Sequence, residues 1–213
     1  MFDFHIHILP NVDDGSRSID ESVMIIEFLK KNRFIGAVAT PHANSLYYPP
    51  REKLNKLKEE ISKLVEFKIL VGYEVRIDAI EIYDPKIFSI ENTNLILLEF
   101  SISKRPNDIL QPFLKVLKHG LRPILAHPER YEYLSIDEIL KLKSDLEVII
   151  QVNLKSLLGV YGERIKKRAI QIYEFSDLVG SDIHSIEECK DLKDFELYKN
   201  RDFLRIIQHN PSL

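Results

Sequence analysis

Residues 1–18, MFDFHIHILPNVDDGSRS, open in strict polar–apolar alternation and close in a polar loop. That period of two reads as a strand, with Phe2, Phe4 and Ile6 on one face and Asp3, His5 and His7 on the other. Downstream, similar short runs recur as expected strands at 35–40, 67–75, 95–100, 123–126, 147–152 and 178–180. Between them lie apolar stripes with helical spacing. One follows the Ser18–Glu21 capping-box pattern and runs to about Asn32. A second follows Pro49-Pro50 and carries Leu54, Leu57, Ile61 and Leu64. Others span Asn107 to His119, open at Ser135 and Glu138, cover Gly162 to Phe175, and run from about Asp191 to His209. Strand–helix alternation of this kind implies a parallel sheet. Seven such units in 213 residues fit a small closed β/α barrel, with an open doubly wound sheet as the alternative. With no linker or internal repeat, residues 1–213 read as one domain.

Composition removes several classes. Lys and Arg number 30 against 33 Asp and Glu, a formal net charge of −3, so bulk positive charge does not draw this chain to nucleic acid. Apolar stretches such as Val23–Ile26 and Leu95–Leu98 fall far short of the roughly 18 residues that cross a bilayer. No signal-like segment precedes the first strand, and direct membrane insertion is not expected. The single cysteine, Cys189, cannot form an intrachain disulfide, which points to a reducing cytoplasm.

The chemistry-bearing residues collect at the expected strand ends: His5 and His7, then His42, Glu74, Glu99, His127, and finally Asp182 and His184. In a parallel barrel these ends share one face, where barrel enzymes place their active sites. Five of the seven histidines fall in this set, while His119 and His209 sit near helix ends. Taken alone, each piece is ambiguous. A His-x-His pair about 6.6 Å apart on a strand suits one metal ion or two solvated side chains equally. Glu74 and Glu99 lie in apolar runs, where a carboxylate needs a counter-cation, whether a metal or a lysine or arginine. Their joint placement favours a metal cluster.

Asp14, Glu74, Glu99 and Asp182 with five histidines offer enough ligands for two or three ions. Three divalent ions against four carboxylates leave a charge of about +2, which suits a phosphate dianion. A nitrogen–oxygen donor set without thiolate fits manganese, iron or zinc better than calcium or copper(I). Arg130, in HPERY, can fork onto two phosphate oxygens or pair with Glu129 or Glu132. Asp13-Asp14-Gly15 taken alone reads as a turn. Tyr47, Tyr48, Pro49 and Tyr161 suit a substrate rim and loop packing equally. Neither GxSxG, GxxxxGK[ST] nor GxGxxG occurs, and no arginine stands six residues beyond Cys189, so a cysteine-thiolate phosphatase route is absent.

In order, HIHILPNVDDGSRS, ATPHA, VGYEVR, LLEF, ILAHPERY, QVNLKSLLGVYG and VGSDIH resemble the PHP (polymerase and histidinol phosphatase) superfamily. Within it they are most similar to the bacterial metal-dependent tyrosine phosphatases of the capsular-polysaccharide type. The resemblance implies a distorted seven-stranded barrel holding three divalent ions, usually manganese, with iron, zinc or magnesium as alternatives. It assigns His5, His7, Glu74 and Asp182 to one ion, and bridging Glu74 with Glu99 and His127 to a second. Asp14, His42 and His184 would hold the third. It further implies a metal-activated hydroxide, assisted by Arg130, Asp14 and His42, acting on the phosphotyrosine tail of a membrane-associated tyrosine autokinase that controls exopolysaccharide synthesis. A second phosphate-binding arginine expected just after Asp-x-His is missing: the stretch reads SIEECK, leaving Lys190 or Arg130 alone for that task. A small-molecule phosphoesterase such as a histidinol-phosphate phosphatase remains the alternative, as does a non-catalytic kinase-binding regulator. A homo-oligomer is left open.

Overall fold

A computed structural model describes residues 1–192. Most of the expected tail helix, and His209 with it, therefore lies outside the described residues. Within them, the chain orders as β1 (Phe2–Ile6), α1 (Ile19–Lys31), β2 (Gly36–Ala39), β3 (His42–Ala43), α2 (Arg51–Ser62), β4 (Lys68–Val71) and β5 (Glu74–Arg76). There follow α3 (Ile77–Ile82), β6 (Leu95–Glu99), α4 (Leu110–Lys118), β7 (Arg122–Ala126), α5 (Ile136–Leu146), β8 (Ile149–Asn153), α6 (Leu154–Leu158), α7 (Glu163–Tyr173) and β9 (Leu178–Gly180). Ser18 caps α1 by accepting from the Glu21 N–H, and Ser135 with Glu138 closes a full capping box on α5. No described helix is long and apolar enough to cross a membrane.

All strand pairs are parallel, in a three-stranded sheet ordered β1-β2-β4 and a six-stranded sheet ordered β3-β5-β6-β7-β8-β9. The strand expected at 67–75 is cut in two, and the one expected at 35–40 is followed by a further short strand, β3. Pro41 separates β2 from β3, and Gly72-Tyr73 separates β4 from β5. Proline cannot donate to a ladder, so the break at Pro41 was legible, but resumption at His42 was not. Backbone bonds bridge both gaps: Thr40 N–H to the Ile6 carbonyl, Gly72 N–H to Ala39, and Glu74 N–H to Pro41. At the far side, Asp182 N–H donates to the His5 carbonyl at 2.7 Å and His7 N–H to Ile183 at 3.0 Å.

The apolar interior has two parts. One cluster joins strand residues, among them Phe2, Phe4, Val38, Leu70, Leu95, Leu97, Ile124 and Leu178. The other joins alternate strand residues to the helices, for example Ile6, Ala37 and Ala39 to Ile25, Leu29 and Leu54. Both faces of the sheets are thus buried, as parallel strands covered by helices require.

The facing expected for β1 is corrected by a bulge. Phe2 and Asp3 pair with Gly36 and Ala37, but Ile6 pairs with Ala39, so one extra residue is fitted between Asp3 and Ile6. Past that point the parity reverses. Asp3 and Ile6 fall on the helix side, and His5 follows Phe2 and Phe4 inward. Gly36 is a point of close approach, because a Cβ there would lie 2.4 Å from the Phe2 ring and 2.8 Å from the Lys68 carbonyl. Gly36→Ala is expected to overpack this layer at a cost of about 1–3 kcal/mol, read as a lower urea midpoint with unchanged m-value.

Candidate metal centre

Nine side chains remote in sequence meet at the ends of the strands. Glu74, the first residue of β5, lies in register with His42 of β3. One carboxylate oxygen, Oε1, accepts from His127 Nε2 at 2.7 Å. The other, Oε2, lies 3.2 Å from His5 Nε2, 3.3 Å from His7 Nε2 and 3.0 Å from His42 Nδ1, yet has no hydrogen-bond partner despite its burial. Asp182 Oδ1 completes this nest at 3.5 Å from both His5 and His7. Asp14, largely exposed, stands 3.4 Å from His42 Nε2 and 3.6 Å from His184 Nε2.

The proton inventory explains why Glu74 Oε2 is unpartnered. Asp13 Oδ2 takes the His7 Nδ1 proton at 2.7 Å, and the Asp182 carbonyl takes that of His184 Nδ1 at 3.0 Å. Gln151 Oε1 takes that of His5 Nδ1 at 3.1 Å, its orientation set by the His127 N–H at 3.4 Å. Each neutral ring then turns a bare Nε2 inward. The Nε2 atoms of His5 and His7 lie only 3.3 Å apart beside two carboxylates. Acceptors facing acceptors in a buried space require a cation. Without metal, protons serve instead. Burial opposes charge on His42 and His7, but hydrogen bonds to Asp14 and Glu74 lift His42 to about 10, and bonds to Asp13, Asp182 and Glu74 hold His7 well above its usual value. Burial, then the Glu74 charge, pushes Glu99 up to about 8.

The donor set fits divalent ions, with neutral imidazoles and carboxylates only, and the rings of His5, His7 and His184 are each oriented by a second hydrogen bond, as metal-binding histidines are. Three groups have ligand atoms within 4.8 Å of one another: His5, His7, Glu74 and Asp182; His42, Glu74 and Glu99; and His7, Asp14, His42 and His184. They differ from the partition expected by resemblance in two respects. His42 rather than His127 joins Glu74 and Glu99, and His7 joins the last group. His127 and Asp182 both have left-handed backbones, φ 32° and 55°, one residue beyond β7 and two beyond β9. Non-glycine residues adopt that geometry at a cost and often at functional sites.

Several residues here were not singled out by sequence reasoning. Asp13, read as turn chemistry, orients His7 and also accepts the His42 N–H. Gln151 and Asn153 form a relay along β8: Gln151 Nε2 donates to Asn153 Oδ1 at 2.9 Å, and Asn153 Nδ2 to Asp182 Oδ2 at 2.6 Å. Two amides in the apolar run VIIQVN were the available signal. Gly180 leaves room for this relay, since a Cβ there would sit 2.6 Å from His5 Cβ and 2.7 Å from Gln151 Nε2.

Arg130 pairs with neither expected glutamate. Glu132 binds Arg164, while buried Glu129 accepts the Asn153 N–H. The Arg130 guanidinium instead stacks 4.7 Å from the Tyr161 ring and reaches Asp182 Oδ2 at 3.5 Å. Lys190 is exposed and takes no part in the ion pairs around Asp182. The lysine beside Asp182 is Lys155, 3% exposed, whose charge Asp182, Tyr161 and Glu188 sustain against burial. Tyr48 packs edge-on against Tyr73, Tyr83 and Phe88 and so belongs to the loop packing, whereas Tyr47 is exposed.

Residues 1–194 match the family described as capsular polysaccharide synthesis, CpsB/CapC. The chain is 34% identical over 200 residues to CapC of Staphylococcus aureus, covering 87% of this chain and 78% of that protein. It is 31% identical over 204 residues to the tyrosine-protein phosphatase CpsB of Streptococcus agalactiae, covering 88% and 84% respectively. Among solved structures it is similar to one from work on Bacillus subtilis YwqE and Streptococcus pneumoniae CpsB, described as unique metal-dependent tyrosine phosphatases. There the TM-score is 0.75 at 26% identity, over 100% of this chain and 94% of that one. With a match of this extent, the chain belongs to the CpsB/CapC family of capsular polysaccharide synthesis.

Proposed function

We propose that this protein is a metal-dependent protein-tyrosine phosphatase acting, in the cytoplasm, on the phosphotyrosine tail of a bacterial tyrosine autokinase that regulates capsule or exopolysaccharide synthesis. The observation that carries the reading is Glu74 Oε2, a buried carboxylate oxygen without a hydrogen bond, ringed by three imidazole nitrogens at 3.0–3.3 Å. His5, His7, Asp14, His42, Glu74, Glu99, His127, Asp182 and His184 are the proposed ligands of three divalent ions, manganese by preference. Residues 1–213 are proposed as one domain, with both sheets belonging to one distorted barrel. In its favour, the interrupted strands count as seven, bonds bridge their gaps, and the β1 end bonds to the segment beyond β9.

When bound, divalent ions supply a water acidified from a pKa of about 15.7 to about 7 and neutralise charge on the phosphoryl group. The chain's own residues do the rest. The Gln151–Asn153 relay and Asp13 keep proton-bearing nitrogens outward and bare ones inward. Arg130, braced on Tyr161, offers its guanidinium to the equatorial phosphoryl oxygens. Tyrosine leaves as a phenol with a pKa near 10, so departure depends less on a protein acid than an alkyl phosphate would. Cys189 takes no part, since burial, then Glu188, pushes its thiol up to about 12 and holds it protonated.

Four outcomes are expected. Stripping metal with a chelator abolishes phosphate release from a phosphotyrosyl peptide, and added manganese restores it; a pure binding protein would show no such dependence. Histidinol phosphate should be the far poorer substrate, and the reverse order would make the protein a small-molecule phosphatase. Arg130→Ala lowers turnover by roughly 10²-fold with metal content retained, the scale of one transition-state contact. His42→Ala lowers metal per chain by elemental analysis, and full metal retention would remove His42 from the ligand set.

A further inference from the structure

Lys155 is buried to 3% exposure at the start of α6, directly beyond the metal-facing end of β8. Burying an ammonium costs several kcal/mol unless its charge and its donors are used. A lysine carries three N–H donors. Among the described residues its short hydrogen bond goes to Glu188 Oε2 at 3.0 Å, with the Tyr161 side chain as a weaker polar neighbour. Asp182 Oδ2, at 4.0 Å, is near enough for attraction but beyond hydrogen-bond length, and the Tyr161 ring lies 5.8 Å away. A partly exposed glutamate alone would not explain the burial, because ion pairs at the surface form without it.

Arg130 presents the same imbalance. Among the described residues, one of its five guanidinium N–H groups bonds, to the same Asp182 Oδ2 at 3.5 Å. Two cations on separate strand ends therefore converge on one carboxylate oxygen, flank one tyrosine ring and keep most of their donors unspent. Asp182 turns its other oxygen, Oδ1, toward His5 and His7. Donors in excess beside a cation-holding cluster suit an anion with three or more oxygens.

Resting on the phosphatase reading above, we propose that Lys155 is the second cationic contact for the substrate phosphoryl group, pairing with Arg130 across Tyr161. Lys155 is thus a binding residue, and Lys190 is not. The proposal also separates Lys155 from a structural role through Glu188, which accepts the His184 N–H at 2.8 Å.

Inorganic phosphate titrated into the manganese-loaded protein tests it by calorimetry. Lys155→Met is expected to weaken phosphate binding by roughly 10- to 100-fold, the scale of one charged hydrogen bond. It should raise KM for a phosphotyrosyl peptide in parallel, leave manganese per chain unchanged, and be largely rescued by Lys155→Arg. Unaltered phosphate affinity in Lys155→Met would overturn the proposal, as would phosphate failing to bind the wild type. Loss of manganese in step with phosphate affinity would overturn it too, by showing that the lysine acts through Asp182 or Glu188. Lys155→Gln answers the same titration if the methionine variant does not fold. A wild type that binds phosphate but does not cleave phosphotyrosine refutes the phosphatase reading alone, and the titration still decides Lys155.

Discussion

The structure is organised around one electrostatic demand: the buried Glu74 carboxylate and the imidazoles around it cannot all be satisfied by one another. His5, His7 and His42 come from β1, the loop after it and β3, and His127 follows β7. All present nitrogen atoms to one carboxylate. The bare Nε2 atoms of His5 and His7 face this carboxylate at 3.2–3.3 Å, and acceptors so placed repel unless a positive charge intervenes. Every other feature of this end of the molecule either enforces that convergence or supplies charge beside it.

Enforcement comes from the backbone first. A bulge in β1 turns His5 inward, and interruptions at Pro41 and Gly72-Tyr73 let two strands change sheet where His42 and Glu74 are needed. Left-handed turns at His127 and Asp182 re-aim two more side chains within two residues of their strand ends. These irregularities weaken a ladder locally, and the apolar clusters on both faces of the strands compensate. Hydrogen bonds then finish the alignment. Asp13, Gln151 and the Asp182 carbonyl each fix one ring nitrogen as a donor, which leaves the opposite nitrogen free.

Charge is graded outward from the cluster. Carboxylates and imidazoles lie deepest, Asp182 forms the boundary, and Arg130 and Lys155 meet it from the other side. Tyr161 lies beside both cations with its ring toward the guanidinium, a geometry that keeps a flexible side chain in place at small entropic cost. Acid chemistry at one end and cationic donors at the other is the polarity that a phosphate monoester presents in reverse.

Strand–helix alternation, the capped helices at 19–31 and 136–146, and the placement of nearly every cluster residue at a strand end were legible in the sequence. Those features depend on local periodicity and on residue chemistry, which a linear chain displays directly. The bulge in β1, the division of two strands between two sheets, the partners of each imidazole and the burial of Lys155 were decided only by the tertiary structure. Each depends on residues far apart in the chain, as when Gln151 meets His5 or Asn153 meets Asp182. A pattern of types and spacings shows which groups a chain can bring together. Which atom of each faces which other is settled by packing, where one extra residue in a strand reverses every side chain beyond it.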